Sequence, residues 1–525
     1  MTFLTFFVFL CLMNFLKKNW AFVLILLTYP LLQIYIGTKH SFISDSLIKA
    51  MQAESLFQNH FQTEEVLYPG GEWDPGKQLS ILEGMGLFSR GRFIGQYPIA
   101  FTAFLAVLRS FGFVWEILPT VLFVFIPIAF YLLGEFGKIK QKNLLLLLFG
   151  TVLFPSLIDV NEAPLFFMIV TMGFLYWIRF RETESSKHLF LSLFFLSLGS
   201  FFRHESILFL VSIFAAELWE KRKRISFFLS IRTLLFVLAG FLPLIAFLIW
   251  NQLDYGHILG PRFIFNYGKD TASIGERAIR FISIIFTYIS NVPKFGFFLC
   301  SPFLLLPLLH SIRGNSLLGQ NKNASFLIRF SVLFILLIAV SAPNDGVTIS
   351  GRYLLLAILP LFFLYEIWTA LDLSKGWRIA QKVSIVFSLI LLVLEVFVFK
   401  ASAKQLKQAK EFIVSQDAEV MMFTNPVFCG QAGLEHIRKV VYCIHSKNEW
   451  EKPLRSILDR KEISEFTLFG EEEELRKKFA GYENQFNDSD LKKLHSLLSE
   501  KFIPEPPKSH KIGYLAQKYV RKSIP

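Results

Sequence analysis

Apolar residues along this chain are grouped into blocks that short polar connections separate. Many blocks extend over roughly 18–22 residues, the length that a helix needs to cross about 30 Å of hydrocarbon. Backbone polar groups in lipid must be hydrogen-bonded within their own segment, so such blocks are expected to be helices. The pattern predicts about eleven transmembrane helices, at residues 20–37, 114–135, 143–158, 163–179, 188–202, 205–219, 233–252, 294–310, 325–342, 352–371 and 383–400.

The predicted fold is an all-α polytopic membrane bundle over residues 1–400, followed by a small soluble α/β domain over residues 401–525. Apolar blocks end at Lys400, and strand-like runs then occur at 420–424, 440–444 and 466–469, between stretches rich in Lys and Glu. The apolar residues 3–16 are too few for a comfortable span. They are an interfacial helix, a signal-like segment or a consequence of start-site choice, since Met13 could also initiate.

One apolar stretch, residues 96–113, is interpreted as a helix lying flat at the outer membrane interface, because Pro98, Arg109 and Gly112 interrupt it. Alternate connections then separate by charge. In one set, every connection contains Lys or Arg. These connections are residues 17–18, 138–142, 179–187, 221–224, 313–329 and 375–382. Connections 159–162 and 341–350 carry neither residue, so the basic set is expected in the cytoplasm. The loops 38–113 and 253–293 and the tail 401–525 are then extracytoplasmic, in a multi-pass protein of the cell's inner (plasma) membrane.

Composition agrees with this class. Of 525 residues, 53% are hydrophobic and 18% are charged, whereas soluble domains carry about a quarter charged residues. The net charge of +13 lies in short loops and forms no continuous patch, so no nucleic-acid partner is expected. The sequence contains no phosphate-binding loop, dinucleotide fingerprint, zinc-ligand spacing or serine nucleophile elbow, which excludes the usual nucleotide sites.

Cysteine usage bears on the compartment of the tail. Cys11 and Cys300 lie in apolar segments and are expected to pack there. Cys429 and Cys443 lie in the tail, where a disulfide can form if the tail is extracytoplasmic.

Polar side chains in the first outer loop are candidates for a functional site. Asp45, Lys49 and Gln52 follow one another at helical spacing and share one helix face. An ordinary surface ion pair between Asp45 and Lys49 is the alternative. Farther along, Gln96 and Tyr97 precede a proline in a segment whose composition is typical of an ordered loop.

Further candidates lie between later spans. Glu162 ends an outer turn, where it is either a helix-end charge or an acid of the site. Arg203 and Glu205 flank the tip of a very short helical hairpin. An arginine at that depth needs a partner, and Glu205 or a lipid phosphate could serve.

Two later outer segments add positive charge on the same side, with Arg262 in one and Arg352 beside Tyr353 in the other. Snorkelling and interfacial anchoring are the alternative explanations. Together with Arg203, these arginines suit an anionic lipid headgroup.

The order of these features resembles the GT-C superfamily of membrane glycosyltransferases, which includes the protein O-mannosyltransferases and the bacterial aminoarabinose transferases of lipid A. The matching pieces are Asp45 after the first span, the segment that begins at Gln96 and Tyr97, and the late span that begins near Arg352 and continues to Pro360. The resemblance covers roughly residues 20–400. The tail resembles no family.

The resemblance implies transfer of a sugar from a polyprenyl-phosphate carrier to a glycan, lipid or protein acceptor at the extracytoplasmic face, with inversion expected. Asp45 would be the general base, and Arg203 and Arg352 would hold the carrier phosphate. Glu162 would orient the acceptor or support a metal. Lys49, Gln96, Tyr97, Glu205, Arg262 and Tyr353 would complete the substrate-binding set.

No cofactor is assigned, and a bound divalent metal is an alternative that the sequence leaves open. Many superfamily members carry two adjacent acids in this loop, whereas Asp45 lies between Ser44 and Ser46. The competing functions are a lipid or solute transporter or flippase, a polysaccharide polymerase or ligase, and a scaffold without activity.

Overall fold

The computed structural model describes residues 18–40, 44–83, 86–220, 231–268, 272–289, 294–313, 322–343, 349–444, 450–478, 486 and 488–523. The predictions for residues 1–16 and for the basic loop 221–224 lie outside these ranges.

The described residues are mostly helical. The α-helices, in chain order, are α1 (Trp20–Ile36), α2 (Ser44–Gln58), α3 (Ile99–Ser110), α4 (Leu118–Phe123), α5 (Phe125–Glu135), α6 (Gln141–Phe149), α7 (Ala163–Thr183), α8 (Ser186–Gly199), α9 (Glu205–Glu220), α10 (Ile231–Gly240), α11 (Leu242–Tyr255), α12 (Gly260–Tyr267), α13 (Ile274–Ile285), α14 (Phe297–Cys300), α15 (Leu306–Arg313), α16 (Lys322–Ser341), α17 (Ile358–Thr369), α18 (Lys375–Val414), α19 (Pro426–Gly430), α20 (Glu451–Leu458), α21 (Glu473–Lys478) and α22 (Asp488–Lys501).

The strands are short and concentrate in the tail. They are β1 (Gly86–Ser89), β2 (Arg92–Gly95), β3 (Thr287–Tyr288), β4 (Lys294–Phe295), β5 (Val420–Phe423), β6 (Val440–Cys443), β7 (Glu465–Glu471), β8 (Phe502–Pro504), β9 (Lys508–His510) and β10 (Tyr514–Arg521). The three strands that the sequence predicts in the tail are therefore confirmed as β5, β6 and β7.

The chain divides into two compact units. Unit 1 contains Met1–Ile36 and Ile117–Val398, and unit 2 contains Gly37–Glu116 and Phe399–Pro525. This division differs from the sequence-based one, which assigns residues 38–113 to the membrane domain. Each unit is described separately below.

Among the described residues, five helical segments are long and apolar enough to cross a membrane. They are Trp115–Glu135, Ala163–Thr183, Asn323–Ser341, Ser350–Thr369 and Lys375–Val414. A sixth is obtained if Thr233–Gly240 and Leu242–Tyr255, which meet at an angle of 42°, form one broken span. The structure thus has the helices of a multi-pass membrane protein, but it does not confirm about eleven spans.

Several predicted spans are shorter in the structure than the apolar blocks from which they were inferred. At 143–158, helix α6 ends at Phe149, and Pro155–Leu157 forms a 3-10 turn. A helix of nine residues is about 13 Å long, less than half of the hydrocarbon thickness. The segment 143–158 is therefore not a continuous helical span. Gly150 and Pro155 explain the break, since both residues disfavour a helix interior.

Close helix crossings define the core of unit 1. A Cβ on Gly173 would lie 2.7 Å from Leu196 Cγ, and one on Gly199 would lie 2.6 Å from Ser206 Oγ. Helices α7, α8 and α9 consequently approach one another at positions where only glycine fits. Beside them, the ring of Phe209 packs against those of Phe330 and Phe334 at 4.7 and 5.2 Å between centroids.

Unit 2 is built on a sheet with the order β6-β5-β7-β10-β8, in which β9 also pairs with β10. Strand β5 runs parallel to β6 and β7, and β10 runs antiparallel to β7. Helices and parallel strands thus form the small α/β domain that the sequence predicts for the tail.

The first loop adds a further layer to this sheet. The amide of Cys443 donates a hydrogen bond to the Leu79 carbonyl over 2.7 Å, and the Tyr442 hydroxyl contacts the Gly70 carbonyl at 3.3 Å. A Cβ on Gly70 would lie 2.8 Å from the Tyr442 ring. Loop and tail thus share one core, which explains why residues 37–116 group with the tail.

Candidate functional site

In unit 1, a charged cluster forms where helices α8 and α9 meet. The turn between them is held by the hydrogen bond from the Arg203 amide to the Gly199 carbonyl, over 3.1 Å. Arg203 Nε and Nη2 both donate to Glu205 Oε1, over 3.0 and 2.5 Å. The Arg203 side chain thus lies against Glu205, the first residue of α9.

Glu162 completes an ion-pair network around this arginine. It precedes α7, and its Oε1 lies 3.6 Å from Arg203 Nη1. The turn is ordered by Asn161, whose amide donates to Ser156 O and Asp159 Oδ1 over 2.6 and 2.8 Å. Arg203 is therefore shared by two carboxylates, and all three side chains are at most 16% exposed.

Arg352 approaches the same cluster from a third element, the 3-10 segment Ser350–Ala357. Its guanidinium lies within electrostatic range of Arg203 and 5.8 Å from the ring of the buried Tyr353. A Cβ on Gly351 would lie 2.6 Å from Phe297 N, so only glycine allows this segment to pack so closely. The sequence Gly351-Arg352-Tyr353 thus combines a close backbone approach with a cation.

Arg262, on helix α12, lies within electrostatic range of His204 at the tip of the α8–α9 turn. The cluster thus contains three arginines and two glutamates, and Asp159 lies in the same turn as Glu162. The structure brings together the predicted residues Glu162, Arg203, Glu205, Arg262 and Arg352 from well-separated parts of the sequence. It also shows that Glu205 and Glu162 are both ion-pair partners of Arg203.

In unit 2, the predicted residues of the first loop form a second cluster. Asp45 lies in the first turn of α2 and is half-buried. Lys49 is buried one turn later, with its ammonium 4.6 Å from the Tyr97 ring centroid and 5.9 Å from that of Phe101. A cation in this position is attracted by the negative faces of both rings.

Gln52 fixes the segment that carries Gln96 and Tyr97. Its amide nitrogen donates to the Tyr97 carbonyl over 3.2 Å, and its oxygen accepts from the Tyr97 amide over 3.3 Å. A Cβ on Gly95 would lie 2.4 Å from the Gln52 side chain, so this pairing requires glycine. The predicted shared face of Lys49 and Gln52 is confirmed, because both side chains meet Tyr97.

Helix α3 is held on α2 by a buried carboxylate that the sequence analysis did not single out. Glu54 Oε2 accepts from Arg109 Nε over 2.9 Å and from Trp115 Nε1 over 2.8 Å. Burial by itself would raise the pKa of Glu54, but hydrogen bonds from Arg109, Trp115 and Gln58 outweigh it and lower the pKa below its ordinary value. Within the apolar stretch 96–113, the helix α3 thus has 12 residues and is anchored on α2. It is too short to span a membrane.

Cys429 and Cys443 form a disulfide, with 5.8 Å between their Cα atoms. His436 lies beside it, and its Nε2 hydrogen-bonds to the Cys429 carbonyl over 2.9 Å. Burial lowers the pKa of His436 to about 4, against the opposing effect of that hydrogen bond.

Metal-binding geometry is restricted in the described part of the chain. There, the only group of three donor side chains within 4.8 Å is Cys429, His436 and Cys443, whose sulfurs already form the disulfide. No such group surrounds Glu162 among the described residues.

Comparison with protein-family models and with curated protein sequences returns no match. The proposed function therefore depends on the charged cluster of unit 1 and the first-loop cluster of unit 2.

Proposed function

We propose that this chain is an integral membrane glycosyltransferase that moves a sugar from a polyprenyl-phosphate carrier to an acceptor at the extracytoplasmic face. The observation that carries the proposal is the gathering of Glu162, Arg203, Glu205, Arg262 and Arg352 among apolar helices. Charged groups in such surroundings are costly and mark functional sites. Guanidinium groups also match the geometry of phosphate oxygens.

The two arginines that the resemblance assigns to the carrier phosphate have different roles in this proposal. Arg203 is already hydrogen-bonded to Glu205 and lies beside Glu162, so it positions the cluster. Arg352 binds the carrier phosphate and stabilises the charge that develops on it when it leaves. Arg262 adds positive potential, and Tyr353 supports Arg352.

Asp45 is the proposed general base. It removes the proton from the acceptor hydroxyl, whose oxygen attacks the anomeric carbon. The bond between that carbon and the phosphate oxygen breaks, the phosphate keeps the electron pair, and the anomeric configuration inverts. Lys49, Gln96 and Tyr97 support the acceptor beside Asp45, and a divalent metal is not required for this balance.

The disulfide supports the proposed sidedness of unit 2, because disulfides persist in oxidising compartments and are rare in the cytosol. A reporter enzyme that is active only outside the cytoplasm, fused to the C-terminus, tests this point. Activity of a cytoplasm-specific reporter at the same position would reverse the orientation.

The decisive experiment compares Asp45→Asn with the wild type in membranes that contain a labelled polyprenyl-phosphate sugar, measuring free polyprenyl phosphate and labelled glycosyl product. We expect a loss of at least roughly 100-fold, the usual contribution of a positioned base. Asp417→Asn is the matched control, because Asp417 is fully exposed and has a left-handed backbone that Asn tolerates. Full activity of Asp45→Asn would reject the base assignment.

The broken helix formed by α10 and α11 favours one alternative, a transporter, because transporters place discontinuous helices at their binding sites. Uptake of a carrier-linked or free sugar into vesicles, without any glycosyl product, would support that alternative. Product formation without uptake would support the glycosyltransferase.

A further inference from the structure

Helix α18 continues beyond its apolar stretch into a row of lysines. Lys400, Lys404, Lys407 and Lys410 follow the apolar residues at helical spacing, and Glu411 is the only acid from 399 to 414. At 1.5 Å per residue, Lys400 and Lys404 lie within roughly 10 Å of the end of the apolar stretch. This is the depth at which a spanning helix meets lipid headgroups.

A cleft in unit 2 lies against this row. It has a volume of about 160 Å³, and its cationic lining comes from His40, Arg109, Lys410 and Arg438. Glu54 forms an ion pair with Arg109, and Glu435 Oε1 lies 3.5 Å from Arg438 Nη1. Glu116 also lines the cleft, and among the described residues Lys410 is the lining cation that has no carboxylate within 4.0 Å.

Several of the surrounding cations have no acidic partner. Among the described residues, no carboxylate lies within 4.0 Å of the ammonium groups of Lys39, Lys404 or Lys410. Burial lowers the pKa of His40, and the neighbouring Lys39, Lys407 and Lys410 lower it further, against the smaller opposing effect of Glu411. Like charges held together in this way repel one another unless an anion binds between them.

The position of the row also conflicts with the rule that governs the rest of the chain. The tail side of α18 carries Lys400, Lys404, Lys407 and Lys410, against Lys375, Arg378 and Lys382 on its other side. The positive-inside rule alone would place the tail in the cytoplasm. The disulfide of unit 2 favours the opposite compartment, so the row needs a reason other than topology.

We propose that the lysine row and the adjoining cleft bind the phosphate of an anionic phospholipid headgroup. Lys404, Lys407 and Lys410 supply the attraction, and His40 and Arg438 line the cleft that receives the phosphate. This site lies wholly within unit 2 and does not depend on the glycosyltransferase proposal.

The test uses the full-length protein in a neutral detergent. Dioctanoyl phosphatidylglycerol, dioctanoyl phosphatidylcholine and glycerol 1-phosphate are titrated separately, and bound ligand is counted by native mass spectrometry. We expect the anionic lipid to bind more tightly than either other ligand, and salt to weaken its binding. Replacement of Lys404, Lys407 and Lys410 by Gln should weaken it about 100-fold, given the contribution of each basic residue near a charged membrane surface.

The matched control replaces Lys452, Lys461 and Lys492 by Gln, since these lysines are also exposed in unit 2 but lie outside the row. It should bind the anionic lipid as the wild type does. Glu411→Gln, which removes the one acid of the row, should tighten binding roughly fivefold and keeps the test decisive if the triple variant fails to fold.

Equal binding of the two phospholipids would overturn the proposal, as would a triple variant that binds like the wild type. Binding of glycerol 1-phosphate as tight as that of the lipid would show a site for free phosphate compounds, which would also overturn it.

Discussion

Arg109 Nε donates a hydrogen bond of 2.9 Å to Glu54 Oε2, 55 residues away in the sequence, and thereby joins helices α2 and α3. Trp115 donates to the same oxygen, and the second guanidinium bond of Arg109 goes to the Phe113 carbonyl. These hydrogen bonds hold α3, in the apolar stretch 96–113, as a helix of unit 2. By composition alone this stretch resembles a membrane span.

Glu54→Gln should lower the free energy of unfolding of unit 2 by about 2 kcal/mol, because hydrogen bonds to a charged group are replaced by neutral ones. The pKa of Glu54 is lowered in the folded protein, so its stabilisation is complete above the ordinary carboxyl pKa of 4.5 and is lost as the pH falls through the folded value. Unfolding midpoints measured across the carboxyl range should therefore depend less on pH in the variant. Glu474→Gln, at an exposed site, should match the wild type at every pH.

His436→Gln should change a different part of the pH profile. The pKa of His436 is lowered to about 4, so stability is full above the ordinary value of 6.5 and is lost progressively as the pH falls to about 4. Gln keeps an N–H donor for the Cys429 carbonyl but does not titrate. Its unfolding midpoint should depend less on pH than that of the wild type across this range. A profile that parallels the wild type would show that another group titrates.

Gly95→Ala should destabilise unit 2 by roughly 1–3 kcal/mol, the usual effect of forcing extra volume into a packed site. The new Cβ would meet the Gln52 side chain and separate it from both hydrogen bonds to Tyr97. Thermal unfolding measures the effect. Gly430→Ala is the control, because a Cβ there meets no atom within 4 Å, and its midpoint should be unchanged. Equal midpoints for the two variants would contradict the proposed contact.

Replacement of Cys429 and Cys443 by Ser should lower the stability of unit 2 by about 3 kcal/mol, since the bond closes a loop of this length in the unfolded chain. The two residues are separated by 14 positions. Thiol alkylation of protein isolated from its native membrane, followed by mass measurement, should label neither residue before reduction. Alkylation of both without reductant would contradict the disulfide, whereas Cys300→Ala should leave the behaviour of the other two cysteines unchanged.

Arg352→Gln should weaken donor binding by roughly 100-fold, because a charged contact to phosphate is lost. Arg203→Gln should mainly lower the unfolding midpoint, since it leaves Glu162 and Glu205 without their cation. Donor titrations and thermal unfolding separate the two effects. Arg179→Gln breaks only a surface pair with Glu182 and should change neither quantity. Equal loss of donor affinity at Arg203 and Arg352 would mean that both hold the carrier.

Local sequence signals predicted part of this structure well. Strand-like runs located β5, β6 and β7, and the apolar blocks located the helices at Ala163–Thr183 and Lys375–Val414. The same signals overestimated the number of spans, because block length does not reveal where a helix stops. The end of α6 at Phe149 depends on Gly150 and Pro155 inside an otherwise apolar block.

The sequence by itself determined the class of the protein, the stretch 96–113 that does not span, and which charged residues needed partners. Only the tertiary structure decided which groups those partners are. Arg203 could have met Glu205 or a lipid phosphate, and in the folded chain it donates to the Glu205 carboxylate. The packing of the first loop against the tail could not be predicted from the sequence either. The contact of Gly70 with Tyr442 depends on complementary shapes of distant segments, which hydrophobic periodicity does not encode.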